Sequence, residues 1–173
     1  DLALYATQAL RIDAVTVGLS RVVPTGVQAL SDIVTGLHSQ TGGVALLTRS
    51  GDLTVAANVS VGLDVRAAAV DPAAGQASGV AGTVLLQSAG ALQVQGTTQV
   101  STLGGVIDME ALGGALAMAS GTGVSSQGGT VRLSASAGLA LGRVDAGTGM
   151  VSLLAHGGAI TRVGASTTDI LAG

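Results

Sequence analysis

A short apolar motif recurs along the chain at a nearly regular interval, and this repeat constrains the fold more than any other feature. The motif is apolar–x–apolar after a glycine-containing turn. It occurs at Val44-Ala45-Leu46, Val84-Leu85-Leu86, Ile107-Asp108-Met109, Val131-Arg132-Leu133 and Val151-Ser152-Leu153. The first interval is close to twice the others, and a weaker copy, Leu63-Asp64-Val65, is predicted to divide it. Self-similarity at such a period is typical of stacked repeat architectures.

Two further motifs accompany the first one in each repeat. The second motif follows the first at Leu53-Thr54-Val55, Leu92-Gln93-Val94, Leu116-Ala117-Met118, Leu139-Ala140-Leu141 and Ile160-Thr161. The third is shorter and occurs at Val15-x-Val17, Val59-x-Val61, Val100, Val124 and Val144. The start of the chain follows the same rule with Leu2-Ala3-Leu4 and Leu10-Arg11-Ile12. Apolar residues that alternate with period two indicate β-strands, so each repeat is predicted to hold three.

These repeats predict an all-β fold, a right-handed parallel β-helix in which each strand pairs with its equivalent one coil away. We expect a single domain over 1–173 with about seven or eight coils, each of about 20–24 residues and three short strands. Glycines at the corners supply backbone conformations with positive φ. The chain is 47% hydrophobic but only 1% aromatic, which fits stacked layers of aliphatic side chains.

Two segments depart from the repeat and are predicted to be insertions, at 18–41 and at 66–80. In the first, Val27, Leu30, Val34 and Leu37 follow helical spacing after Pro24-Thr25. The alternatives there are a short helix lying over the rod and an irregular coil with Val22 and Val23 in its first strand. In the second, the turn residues predict a projecting loop.

Composition excludes several functional classes. The seven basic residues are all arginine and form no cluster, which argues against nucleic-acid binding. With no cysteine, disulfide and thiolate chemistry are absent. No apolar run approaches the roughly 18 residues of a membrane helix, so we expect no membrane insertion. Because the chain begins at Asp1 without a signal peptide, we interpret it as a fragment of a longer repeat protein.

The sequence predicts no catalytic, cofactor-binding or metal-ligating residues. The glycines match no phosphate-binding spacing, and no calcium-binding repeat occurs. His38 and His156 are both expected to be solvent-facing turn residues. The acids Glu110, Asp52, Asp64, Asp108 and Asp145 share no equivalent position in adjacent coils, so no column of paired carboxylates is expected. Asn58-Val59-Ser60 matches a glycosylation acceptor, but so short a match is weak.

Three stretches carry a resemblance to a known family. GGVALLTRSGDLTVAANVSVG (42–62), AGTVLLQSAGALQVQG (81–96) and GGTVRLSASAGLALG (128–142) resemble the repeats of filamentous-haemagglutinin-type large exoproteins and related giant adhesins of Gram-negative bacteria. The resemblance implies a right-handed β-helix exported across the outer membrane and displayed or shed as a fibre. It implies a role in adhesion, aggregation or biofilm formation, and it transfers no binding residue.

We therefore expect a non-enzymatic structural or adhesive repeat segment at the cell surface, without cofactors. The expected partners are flanking repeats, copies of the chain stacked end to end through open sheet edges, and surface glycans or proteins. Two other readings stay open. One is a polysaccharide-cleaving β-helix or phage depolymerase, which clustered acids with an arginine in a groove would favour. The other is a passive spacer stalk.

Overall fold

The computed structural model describes residues 1–23, 26–34, 36–40, 42–62, 82–164 and 169–173, and they contain twenty strands and no helix. Eighteen strands form three parallel sheets of six. The first sheet contains β1 (Leu2–Ala6), β6 (Val44–Thr48), β9 (Val84–Ser88), β12 (Ile107–Ala111), β15 (Val131–Ala135) and β18 (Val151–Ala155). The second contains β2 (Leu10–Ile12), β7 (Leu53–Val55), β10 (Leu92–Val94), β13 (Leu116–Met118), β16 (Leu139–Leu141) and β19 (Ile160–Arg162). The third contains β5 (Leu37–Ser39), β8 (Val59–Val61), β11 (Gln99–Ser101), β14 (Gly123–Ser125), β17 (Arg143–Asp145) and β20 (Ile170–Leu171).

Each coil contributes one strand to each sheet, which confirms the parallel β-helix. Ile107 pairs with Val84 of the preceding coil and with Val131 of the following one. All three side chains are buried. We call such a set of equivalent residues in successive coils a column. Burying one Leu or Ile stabilises the fold by about 1.5–3 kcal/mol, so these aliphatic columns form a core without aromatic rings. The right-handed winding stays a prediction.

The described strands form six coils rather than seven or eight. The expected extra coil at Leu63-Asp64-Val65 is wrong, because β6 pairs directly with β9 and leaves no place for a strand between them. Residues 63–81 themselves, including the loop predicted at 66–80, lie outside the described residues.

The segment at 18–41 is neither a helix nor an irregular coil. Strands β3 (Val15–Val23) and β4 (Gly26–Val34) form an antiparallel hairpin in a sheet of its own, inserted between β2 and β5. The valine-rich sequence favours strands, and this preference outweighed the four residues at helical spacing. The expectation that Val15 and Val17 complete the first coil is also wrong, because Leu37–Ser39 pairs with β8 instead.

Pairs of glycines precede strands β12 and β15 of the first sheet, and the two glycines of each pair have different structural roles. Gly104 and Gly128 have φ of 77° and 111°, the left-handed region expected for corner glycines. The next residues, Gly105 and Gly129, are needed for close stacking. A Cβ there would lie 1.7 and 1.9 Å from a glycine carbonyl oxygen of the preceding coil. The second glycine of each pair therefore lets two coils approach each other.

Buried hydroxyls close several corners. Ser88, Thr102 and Ser126 each donate to the carbonyl three residues later, at 2.8, 2.8 and 2.6 Å. All three residues are fully buried. These bonds satisfy both the hydroxyl and a corner carbonyl, which would otherwise be costly to bury.

Candidate functional site

Three polar corner side chains, those of Asp1, Asp52 and Asn58, connect adjacent coils. Asp52 Oδ1 accepts a hydrogen bond from the backbone N–H of Ala91 at 2.8 Å. Asp1 Oδ1 accepts one from Gly43, and Asn58 Oδ1 accepts one from Gln99 at 2.9 Å. Each bond joins a corner to the next coil. The Asn58 amide in the glycosylation-like motif thus has a structural partner, and Asp64 lies outside the described residues.

Two other acids form a small charged cluster on the outward face of the first sheet. Arg132 Nε lies 2.9 Å from Asp108 Oδ1, and its Nη2 lies 3.8 Å from Glu110 Oε2. Gln87 donates to Glu110 Oε2 at 2.8 Å. The hydrogen bond to Asp108 raises the pKa of Arg132. Arg132 was not among the predicted site residues, although it follows Asp108 by one repeat and the repeat spacing pairs the two positions.

The outward face of the first sheet is mainly apolar in the first coils and becomes charged in the coils that follow. Its outward positions in the first coils are mainly apolar: Ala3, Tyr5, Ala45, Leu47 and Leu85. Tyr5, the only aromatic residue, is 75% exposed. The charged cluster follows in the next two coils, and it lines neither the cleft beside Gly123 nor the one beside Asp1.

The two histidines occupy different environments. His156 is an exposed turn residue after β18, as expected. The expectation for His38 is wrong, because this residue lies within β5 and is half-buried. Its Nδ1 is 2.9 Å from Ser60 Oγ, and its buried Nε2 has no hydrogen-bond partner among the described residues. Among the described residues no carboxylate hydrogen-bonds to the ring.

The outward face of the third sheet is polar over most of its length. One column runs through Asn58, Gln99, Gly123 and Arg143. Asp169 extends it, since the next residue, Ile170, pairs with Val144. An adjacent column contains His38, Ser60, Ser101, Ser125 and Asp145.

A cleft of about 230 Å³ opens in this polar face around Gly123. It is lined by Gln99, Ser120, Gly121, Thr122, Gly123, Gly142, Arg143, Val163, Gly164 and Asp169. Arg143 Nη2 bonds to Asp145 Oδ2 at 2.9 Å, and this bond, with one from Gly147 N–H, lowers the pKa of Asp145. Arg162 Nε lies 3.3 Å from Asp169 Oδ2. None of the residues that line this cleft was a predicted site residue.

The last coil leaves its apolar columns uncovered. Ile160 and Ile170 are 49% and 45% exposed. Their equivalents one coil earlier, Leu139 and Val144, are buried. This difference arises because a column residue is covered only when another coil lies on each side.

The described fold defines a parallel β-solenoid repeat protein. No protein-family model, curated protein or solved structure matches the chain. The resemblance to filamentous-haemagglutinin-type exoproteins therefore stays a prediction. Within the described ranges, no group of three or more His, Asp or Glu side chains is placed to hold a metal ion. The same part of the chain contains no helix long and apolar enough to cross a membrane.

Proposed function

We propose that the chain is a non-enzymatic structural and adhesive repeat segment of a bacterial fibre that is secreted or displayed at the cell surface. The observation that carries the proposal is the register of the coils. Equivalent residues stack through six coils, and the apolar columns stay uncovered at the last one. A further coil of the same kind would continue all three sheets and cover Ile160 and Ile170. Such coils would come from flanking repeats or from another copy.

The outward residues support a structural role. The carboxylates of Asp108 and Glu110 are engaged by Arg132 and Gln87 on the broad face of a sheet. Asp52 and Asn58 bond to backbone groups of the next coil. Charge in these places ties coils together and keeps the rod soluble. The location outside the cell rests on the resemblance of the repeats.

The charged cluster is the observation that favours the alternative, a polysaccharide-cleaving enzyme. Most glycoside hydrolases use a pair of carboxylates, and here the carboxylates of Asp108 and Glu110 lie beside Arg132. We expect no reducing-end release from a panel of bacterial and host polysaccharides. Release that the double variant D108N/E110Q abolishes would establish the enzyme and contradict the structural proposal.

Stacking is tested by electron microscopy and light scattering over a range of protein concentrations. We expect rods whose lengths are multiples of one unit, about 29 Å for six coils spaced by about 4.8 Å. I160D places a charge in an uncovered column and is expected to give single units. T161D adds the same charge at the neighbouring outward position and should still stack. Single units of the unmodified chain at every concentration would refute stacking of copies.

Stacking on flanking repeats is tested by duplicating residues 130–149, one full coil, after Gly149. Because each coil is templated by its neighbour, the seven-coil chain should fold and melt at a higher temperature than the original. A seven-coil chain that melts at a lower temperature would contradict the view that coils are interchangeable units.

A further inference from the structure

We propose that copies of this chain join head to tail, the last coil of one copy on the first coil of the next, and that Arg162 and Asp13 select this contact. The proposal rests on the stacking of copies proposed above, and it adds the partner surface, the polarity and the register. Both ends of the rod expose apolar column residues. Leu4 in the first coil is 36% exposed although its equivalent Leu46 is buried, and Ile160 in the last coil is 49% exposed.

The corner between the first and second sheets alternates in length along the rod. Three residues join the two strands in the first, third and fifth coils, and four residues join them in the second, fourth and sixth. Long and short corners pack closely, since a Cβ on Gly114 of a long corner would lie 2.9 Å from the backbone nitrogen of Ala91 in the short corner before it. The sixth coil has a long corner and the first a short one, so head-to-tail contact continues the alternation.

Arg162 occupies a position that is apolar in the other coils. It pairs with Leu141 of the preceding coil. The equivalent residues are all buried: Ile12, Val55, Val94, Met118 and Leu141. The Arg162 side chain is 56% exposed at the end of the rod, where its Nε lies 3.3 Å from Asp169 Oδ2. A coil stacked there would bury the guanidinium, so a partner that supplies a further carboxylate is favoured over one that supplies none.

Asp13 supplies such a carboxylate at the other end of the rod. The residues that follow the second sheet in the other coils are all uncharged: Ala56, Gln95, Ala119, Gly142 and Val163. Their N–H groups donate to the preceding coil, as Val163 does to the carbonyl of Leu141 at 2.8 Å. In a head-to-tail contact the same bond would run from the N–H of Asp13 to the carbonyl of Arg162 in the copy before it. This register places the two side chains beside each other.

The charges at the two ends are complementary. Arg11 Nε lies 2.9 Å from Asp13 Oδ2, and both side chains are 53% exposed, so Asp13 is accessible to Arg162 of another copy. Two arginines and two carboxylates would then meet, with no net charge, once Asp169 is included. Contact between two last coils would place two Arg162 side chains together, and contact between two first coils would do the same with Asp13. Like charges at an interface are costly, so the charges favour head-to-tail contact.

Charge reversal tests the pairing, with stacking followed by light scattering and electron microscopy over a range of concentrations. R162E and D13R each place like charges across the contact, and each variant alone should need about tenfold more protein, or more than that, to stack. An equimolar mixture of the two variants should stack again, because every contact between unlike copies then joins opposite charges. R49E reverses an exposed arginine in a corner of the second coil and should stack as the original does.

Cross-linking tests the polarity with Asp13 and Arg162 left in place. The chain contains no cysteine, so A3C and S152C each introduce a single thiol. Ala3 and Ser152 hold equivalent outward positions in the first and last coils of the first sheet. They would therefore lie opposite each other across a head-to-tail contact. A short bismaleimide should join the two variants to each other in a mixture and should not join either variant to itself.

The outcomes separate this proposal from the stacking on which it rests. Single units of the unmodified chain at every concentration would overturn both. Stacking of folded R162E and D13R at the concentration that the original needs would overturn the pairing alone, as would a mixture of the folded variants that does not stack. Cross-linking mainly within A3C or within S152C would overturn the polarity while leaving stacking intact. Circular dichroism spectra that match the original show that each variant folds.

Discussion

Replacing Gly105 with alanine should destabilise the solenoid more than the same change at Gly104, although the two residues are neighbours in one corner. A Cβ on Gly105 would lie 1.7 Å from the carbonyl oxygen of Gly82 in the preceding coil. A Cβ on Gly104 would meet nothing within 4 Å, but its φ of 77° is unfavourable for alanine. The pair thus separates crowding between coils from backbone strain within one coil.

The loss of folding stability in G105A can be estimated from how far the two coils must move apart. Real Cβ atoms stay at least 3.0 Å from such an oxygen, so the corner has to widen from 1.7 Å to that distance. The adjacent bond from Val84 N–H to Val106 carbonyl, now 2.9 Å, would then be lost. Crowding at about 1–3 kcal/mol and a lost bond at about 1 kcal/mol give about 3 kcal/mol for G105A. Left-handed alanine costs about 1–2 kcal/mol in G104A.

Thermal and urea unfolding followed by circular dichroism measure both variants. For a chain of this size each kcal/mol lowers the melting temperature by about 2–4 °C, so G105A should melt about 6–12 °C below the original. Equal losses in the two variants, or a larger loss in G104A, would show that coil contact does not explain the second glycine.

Three further changes test the core, a corner and a surface ion pair. L139D buries a charge in the second sheet and should cost about 5 kcal/mol or more, while A140D on its outward face should change the midpoint of unfolding little. S126A removes a buried corner bond and should cost about 1–2 kcal/mol; a melting temperature equal to that of the original would refute this role. Because Arg143 lowers the pKa of Asp145, the stability from the ionised carboxylate is present above the unfolded pKa of about 3.9 and is lost as pH falls through the folded pKa. D145N should therefore be less stable than the original near neutral pH and equally stable in strong acid, and a difference that persists in acid would contradict the ion pair.

The repeat motifs allowed most of the solenoid to be predicted. Inward residues such as Leu139 and Val144 were identified because period-two alternation assigns each residue to a face. The hairpin at 15–34 was missed, since its apolar residues also satisfy helical spacing over a short window. The number of coils was overestimated for the same kind of reason, as Leu63-Asp64-Val65 matches the motif while β6 and β9 pair directly.

The candidate site could not be predicted to the same degree. Arg132 and Asp108 were each visible in the sequence, but only the register of the first sheet places them opposite each other. The sequence predicts a turn at His38, because the hairpin interrupts this repeat and the strand Leu37–Ser39 is not recognisable from the motif spacing. The cleft around Gly123 has no motif, since the residues that line it come from several coils.

The repeating unit of this protein, with its three strands, inward aliphatic residues and glycine corners, can be predicted from local sequence alone. These features depend on local periodicity and on backbone sterics, which short stretches of chain already express. The number of coils, the strand that completes the first coil and the contacts between outward residues are visible only in the folded chain. Those features depend on pairing between residues that lie a full repeat or more apart in the chain. An insertion or deletion at one corner therefore changes which residues of adjacent coils meet at that corner.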